Sequence, residues 1–151
     1  MAGKSSSRVE IAGRSWVISR LLAHGCEVAV PVVDSGIDII AFREIGDGGV
    51  RALPLQLKCA TNEAFSLDVK YARRGITLIY VWPAMSNPTD FVLSYDEARA
   101  VFVPRSPKTA SSADGGAYSM STVSKVRKQQ LAPYENRWAW LIERIATQPE
   151  S

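Results

Sequence analysis

The sequence predicts an α/β domain in which a mixed sheet, centred on an antiparallel meander, is covered by helices. Three observations predict it. A helix-length segment runs from the serines at 5 to 7 to about His24 and stops at Gly25. Strand-like segments follow closely, two of them joined by Gly46-Asp47-Gly48-Gly49. Near the end, Tyr134, Trp138, Leu141, Ile142 and Ile145 lie at helical spacing and define an amphipathic closing helix.

The elements take their limits from local chemistry. The serine run offers N-caps for the first helix, and Ser7 with Glu10 three residues later fits a capping box. Cys26 to Val33 is apolar and β-branched, which reads as a strand; Ile37 to Phe42 reads as the next. Arg51 to Ala60 is a third, and Pro54 places it near an edge or a bulge. After a short loop, Thr77 to Trp82 is a strongly apolar strand closed by Pro83. Asp90 to Leu93 is a further candidate strand, after which Ser94 caps a short helix through about Phe102. Residues 104 to 117 are rich in Pro, Ser, Ala and Gly and predict a mobile loop, while 119 to 124 carry no clear signal. No internal repeat is visible.

The bulk properties set limits. A chain of 151 residues is one domain, 1–151, long enough to bury a core without disulfides or metals. Apolar content of 46% and charged content of 22% are globular values. No apolar run approaches the about 20 residues that cross a bilayer, so no membrane association is expected. The first eight residues lack a signal-peptide core, so a cytoplasmic location is expected. Cys26 and Cys59 have no metal-like spacing and read as buried thiols. The net charge is +3. With a pI near 9.0, this points modestly to an anionic partner. Lys125, Arg127 and Lys128 form one basic cluster, and Lys70, Arg73 and Arg74 another. Surface solvation is the ordinary explanation of both, and contact with phosphates the alternative.

The densest chemistry lies between Asp34 and Lys58. An aspartate, Asp38, opens an apolar strand, and Gln56 and Lys58 interrupt another. Such groups are costly in buried segments unless they serve one another, a metal or a substrate. On the third strand Leu53, Leu55, Leu57 and Cys59 share one face, and Gln56 and Lys58 the other. A hairpin brings the start of one strand beside the end of the next, so Asp38, Gln56 and Lys58 can meet. Glu10, Arg14, Val17 and Leu21 fall on one helical stripe, which would aim Glu10 at the same strand ends. Glu10 thus has two readings, capping-box residue and inward carboxylate. Asp34 also has two, turn residue and spare ligand, with the turn preferred.

In order, Glu10, the helix stop Gly25, Gly36-Ile37-Asp38-Ile39-Ile40 and Gln56-Leu57-Lys58 resemble the PD-(D/E)xK nuclease superfamily. The resemblance is strongest to the branch with archaeal Holliday-junction resolvases and small restriction-like or homing endonucleases. It covers roughly the first 60 residues. It implies a restriction-endonuclease-like core and Mg²⁺- or Mn²⁺-dependent hydrolysis of phosphodiesters in DNA. Asp38, the Gln56 side-chain carbonyl and the Leu57 backbone carbonyl would bind the metal. Lys58 would orient or deprotonate the attacking water and offset charge on the phosphate. Glu10 would hold a water on the metal or a second ion. Lys125, Arg127 and Lys128 are the candidate DNA contacts. Glutamine at 56, where the family usually has a carboxylate, removes a negative charge and should weaken metal binding. One site per small chain implies a homodimer or higher oligomer for duplex cutting.

Other features carry less. His24, the sole histidine, has no acid pair around it, so nucleophilic triad chemistry has no support. The glycine turn at 46 to 49 lacks the Lys-Ser/Thr of a phosphate loop. Trp138 lies on the apolar stripe of the closing helix, whereas Arg137 and Trp140 fall off it, available to an interface, to solvent or to stacking on bases. Two rivals stand beside the nuclease reading: a catalytically silent nucleic-acid-binding module on the same fold, and a protein-interaction module using the aromatics of the closing helix.

Overall fold

The computed structural model describes residues 2–102, 117–120 and 123–147. Helix α1 (Ala2–Ala23) leads into β1 (Glu27–Ala29), β2 (Ile39–Glu44) and β3 (Val50–Cys59). After β4 (Phe65–Asp68) and a 3-10 turn (Val69–Tyr71) come β5 (Thr77–Trp82), β6 (Thr89–Ser94) and α2 (Tyr95–Phe102). The chain ends with β7 (Ala117–Met120), α3 (Lys125–Leu131), a second 3-10 turn (Ala132–Tyr134) and α4 (Trp138–Ala146).

The main sheet has the order β1-β2-β3-β5-β6. Strands β1, β2 and β3 form the expected antiparallel meander, with Ile39 opposite Leu55 and Glu44 opposite Val50. Strand β5 lies parallel to β3, Leu55 beside Thr77 and Cys59 beside Val81, and β6 runs antiparallel to β5. The sheet is therefore mixed, as the sequence predicts. The glycine turn closes the β2–β3 hairpin: Gly49 N–H donates to Asp47 Oδ1 at 2.9 Å, and Gly48 takes a φ of 83°.

The sheet is buried on both faces. Val9, Val17 and Leu21 of α1 and Trp138, Leu141 and Ile145 of α4 pack with Ile39, Ala41, Leu53, Leu55, Ile79 and Val81. On the other face, Phe102, Leu131, Phe65, Leu67 and Tyr71 pack with Leu78, Tyr80, Trp82 and Leu93. Each fully buried aliphatic side chain contributes about 1.5–3 kcal/mol. Two-sided burial explains why every residue of β5 is buried, a continuous apolar run rather than an alternation. Among the described residues no helix is long and apolar enough to cross a membrane.

Several sequence expectations need correction. Helix α1 starts at Ala2, so Ser7 sits inside it and does not cap it; the capping-box reading of Glu10 falls. Strand β1 is only Glu27–Ala29, because Pro31 follows and Val32 and Val33 turn outward, 101% and 73% exposed. Pro54 lies in the middle strand, not at an edge. It is tolerated there because pairing with β5 begins only at Leu55. The loop expected after Ala60 contains β4, which pairs with β7. The closing helix starts at Trp138, with Tyr134 in the preceding 3-10 turn. The loop expected at 104 to 117 lies outside the described residues, except Ala117, which begins β7.

The Ser94 cap is present and is half of a capping box. Glu97 N–H donates to Ser94 Oγ at 3.2 Å, and Ser94 N–H donates to Glu97 Oε2 at 2.9 Å.

Candidate active site

The polar side chains of this site are placed by backbone geometry first. Asp38 stands just ahead of β2, where its N–H donates to Leu55 O at 2.9 Å. Its carboxylate crosses to β3: Leu57 N–H donates to Asp38 Oδ2 at 2.7 Å. The other oxygen, Oδ1, carries no hydrogen bond among the described residues. The hairpin thus joins the start of one strand to the end of the next, as strand geometry requires. Gln56 and Lys58 stand in parallel register with Leu78 and Tyr80, on the face opposite that of Leu55.

Helix α1 brings the second carboxylate. Its buried seam runs through Val9, Gly13, Val17 and Leu21, so Glu10 is exposed and flanks the seam instead of lying on it. Gly13 makes the approach possible: a Cβ there would lie 2.1 Å from Cys59 Sγ and 2.6 Å from Cys59 Cβ. With α1 seated this closely on the end of β3, Glu10 and Arg14 join Asp38, Gln56, Leu57 and Lys58 around one cavity of about 1020 Å³. The Cys59 thiol reports the local charge. Burial, then the carboxylates of Asp38 and Glu10, push it up to about 12, with Arg14 acting in the opposite sense.

Gln56 is 7% exposed, and its amide oxygen Oε1 is buried with no hydrogen-bond partner. Its Nε2 reaches Leu57 O only at 3.4 Å, beyond the common N–H···O range. An orphaned buried amide oxygen costs about 1–3 kcal/mol and calls for an electropositive partner. Together with Asp38 Oδ1 and the Leu57 carbonyl it makes a set of oxygen donors, which suits a hard divalent cation such as Mg²⁺ or Mn²⁺. Among the described residues no three His, Cys, Asp or Glu side chains gather as a metal-binding group. A cation here would therefore rely on amide and backbone oxygens as well as carboxylates.

The segment after Ala60, which the sequence predicts as a loop, also contributes to the lining. Phe65 and Ser66 of β4, then Lys70 and Tyr71, line the cavity. The Lys58 ammonium lies 5.3 Å from the centre of the Tyr71 ring, and Lys70 Nζ 5.2 Å from it. Lys70 also pairs with Asp68 at 3.6 Å. A usable signal was present: Phe65 and Leu67 alternate with Ser66 and Asp68, the period of a half-buried strand.

Asp34 and Cys59 also line the cavity, and the remaining candidates lie elsewhere. Gly36 N–H donates to Asp34 Oδ1 at 3.0 Å, so Asp34 makes the turn. Lys125, Arg127 and Lys128 do not line the cavity. Arg127 donates to the carbonyls of Val101 (3.1 Å) and Phe102, capping the end of α2, and Lys128 pairs with Glu63 at 2.5 Å. Lys125 is exposed. His24 Nδ1 lies 2.8 Å from Arg20 O at the end of α1. Arg137 pairs with Glu97 at 2.9 Å and stacks 4.0 Å from the Trp140 ring centre, which occupies both residues within the chain. Both cysteines are free thiols.

No protein-family model matches the chain, and no curated protein matches it. Among solved structures it is similar to a bacterial homing endonuclease, I-Ssp6803I. The TM-score is 0.57 at 18% identity, and the match covers 93% of this chain and 92% of that one. At this identity the likeness is one of fold: the mixed five-stranded sheet flanked by helices is nuclease-like.

Proposed function

We propose that this protein is a divalent-metal-dependent endonuclease that hydrolyses phosphodiester bonds in DNA. The observation that carries the reading is the unpartnered amide oxygen of Gln56, buried at a cavity that Asp38, Glu10 and Lys58 also line. The fold shared with a homing endonuclease supports the same reaction class. The ordered motif of Glu10, Asp38, Gln56 and Lys58 supports PD-(D/E)xK membership.

In this reading Asp38 Oδ1, Gln56 Oε1 and the Leu57 carbonyl hold Mg²⁺ or Mn²⁺. When bound, the cation supplies Lewis-acid polarisation of a phosphate oxygen. Asp38 is held for this task by the Leu57 N–H, which fixes one oxygen and leaves the other for the ligand. Lys58 orients the attacking water and offers an ammonium to the charge that develops on the phosphate. Glu10, exposed at the cavity, orients water from the helix side. Arg14 adds a further cation to the lining beside Lys58 and Lys70, suited to a neighbouring phosphate. A duplex cut then needs two copies of the chain, so a homodimer or higher oligomer is part of the proposal.

Glutamine at 56 favours one rival, a silent module that binds nucleic acid without cutting it. Supercoiled plasmid incubated with the protein and Mg²⁺ or Mn²⁺ separates the two. Nicked or linear product from the wild type, absent with Asp38→Ala and Lys58→Ala, is the expected result. Intact plasmid, with retained DNA binding and no Mn²⁺ uptake, would replace the nuclease with the silent module. Equal cutting by all three proteins would move the active site elsewhere.

A further inference from the structure

The ammonium of Lys58 makes no ion pair with any carboxylate among the described residues; its partner is the ring of Tyr71. Tyr71 is 4% exposed and ends a 3-10 turn whose start is capped by Asp68, Oδ1 accepting from Lys70 N–H at 2.9 Å. The ring is therefore a fixed object, whereas a lysine stem of four methylenes is not. The same ring abuts the loop that delivers Asp38. A Cβ at Gly36 would lie 2.8 Å from Tyr71 Cε1, so only glycine lets that loop come so close. Arg74 ties the loop down again, donating from Nη1 to Ser35 O at 3.1 Å.

We propose that Tyr71 is a positioning residue: its ring face holds the Lys58 ammonium, and its contact at Gly36 sets that ammonium's place relative to Asp38. The catalytic consequence rests on the nuclease reading of the cavity; the positioning itself does not. An aromatic face attracts an ammonium through its quadrupole and needs no hydroxyl to do so. Phenylalanine should therefore substitute for Tyr71, and an aliphatic side chain of similar bulk should not. A carboxylate in the same place would neutralise the ammonium as well as hold it. A ring holds it and leaves its charge available to a phosphate. The second ammonium at the ring, Lys70, is shared between the Tyr71 hydroxyl and Asp68, whereas Lys58 pairs with no carboxylate among the described residues and has the ring face as its partner.

The test uses the full chain with Tyr71→Phe, Tyr71→Leu and Tyr71→Met. The first measurement needs no metal and no DNA: the NMR shifts of the Lys58 ε-methylene protons, assigned through Lys58→Arg. They should be displaced upfield by the ring current in the wild type and in Tyr71→Phe, and should return to ordinary lysine values in the Leu and Met variants. The second is single-turnover cleavage with Mn²⁺. Tyr71→Phe should stay within about twofold of wild type, and the aliphatic variants should fall by about tenfold or more with DNA affinity unchanged. Undisplaced wild-type protons would overturn the proposal without any variant having to fold. So would displaced protons in a folded aliphatic variant, or a loss in Tyr71→Phe equal to that in Tyr71→Leu. A wild-type protein that shows the shift but cuts no DNA would sink the nuclease reading and leave the positioning intact.

Discussion

The backbone N–H of Leu57 donates to the carboxylate of Asp38 at 2.7 Å, tying the entrance of β2 to the last residues of β3. One oxygen of Asp38 is thereby structural and the other free, and the two roles separate by mutation. Asp38→Asn keeps an oxygen acceptor for Leu57 and should melt close to wild type, yet lose Mn²⁺ binding and cleavage. Asp38→Ala should lose both and also about 1–3 kcal/mol of stability. Calorimetric Mn²⁺ titration beside thermal melts decides it. Wild-type Mn²⁺ affinity in Asp38→Asn would remove the carboxylate from the ligand set.

Gln56→Glu should behave oppositely with and without metal. In metal-free buffer it buries a further charge near Asp38 and Glu10 and should destabilise the protein by about 1–3 kcal/mol. Added Mn²⁺ should restore the loss and bind more tightly than to wild type. Melting curves with and without Mn²⁺ check this; a variant indifferent to Mn²⁺ would place the amide outside any metal site.

The basic cluster of α3 divides into structure and surface. Arg127 holds the final carbonyls of α2, so Arg127→Gln should cost about 1.5–3 kcal/mol. Lys125, exposed on the same helix, is free to meet phosphate: Lys125→Gln should leave the melting temperature alone and flatten the slope of log Kd against log salt by about one. An unchanged slope would put the DNA surface elsewhere.

Glu97 carries a pH signature. Burial alone would raise its pKa, but the Arg137 guanidinium and the Ser94 N–H outweigh burial and hold the carboxyl below its ordinary value. A depressed folded pKa contributes stability above the unfolded value that is lost as pH falls through the folded one. Wild type should therefore exceed Glu97→Gln in stability at neutral pH, and the difference should shrink as pH falls below the ordinary glutamate value of about 4.3. Urea midpoints across that range test it; a constant gap would mean that the charge of Glu97 contributes nothing.

What this sequence determined by itself is what neighbours along the chain decide. The turn at 46 to 49 set the β2–β3 hairpin, and pairing register then brought Asp38 to Leu57. The apolar run at Thr77–Trp82 and the Ser94 cap were legible because period and capping act over a few residues. Only the tertiary structure decided where α1 begins, that Gly13 rather than Glu10 faces Cys59, and that β4 finds its partner in β7 some 50 residues later. It also placed the Tyr71 ring against both Lys58 and Gly36, a meeting of three segments that no local pattern encodes. The physical reason is range: propensity, capping and alternation are settled within a turn or a strand. Close helix approach, strand pairing across a long connection and a ring wedged between loops depend on what the rest of the chain delivers to the same point.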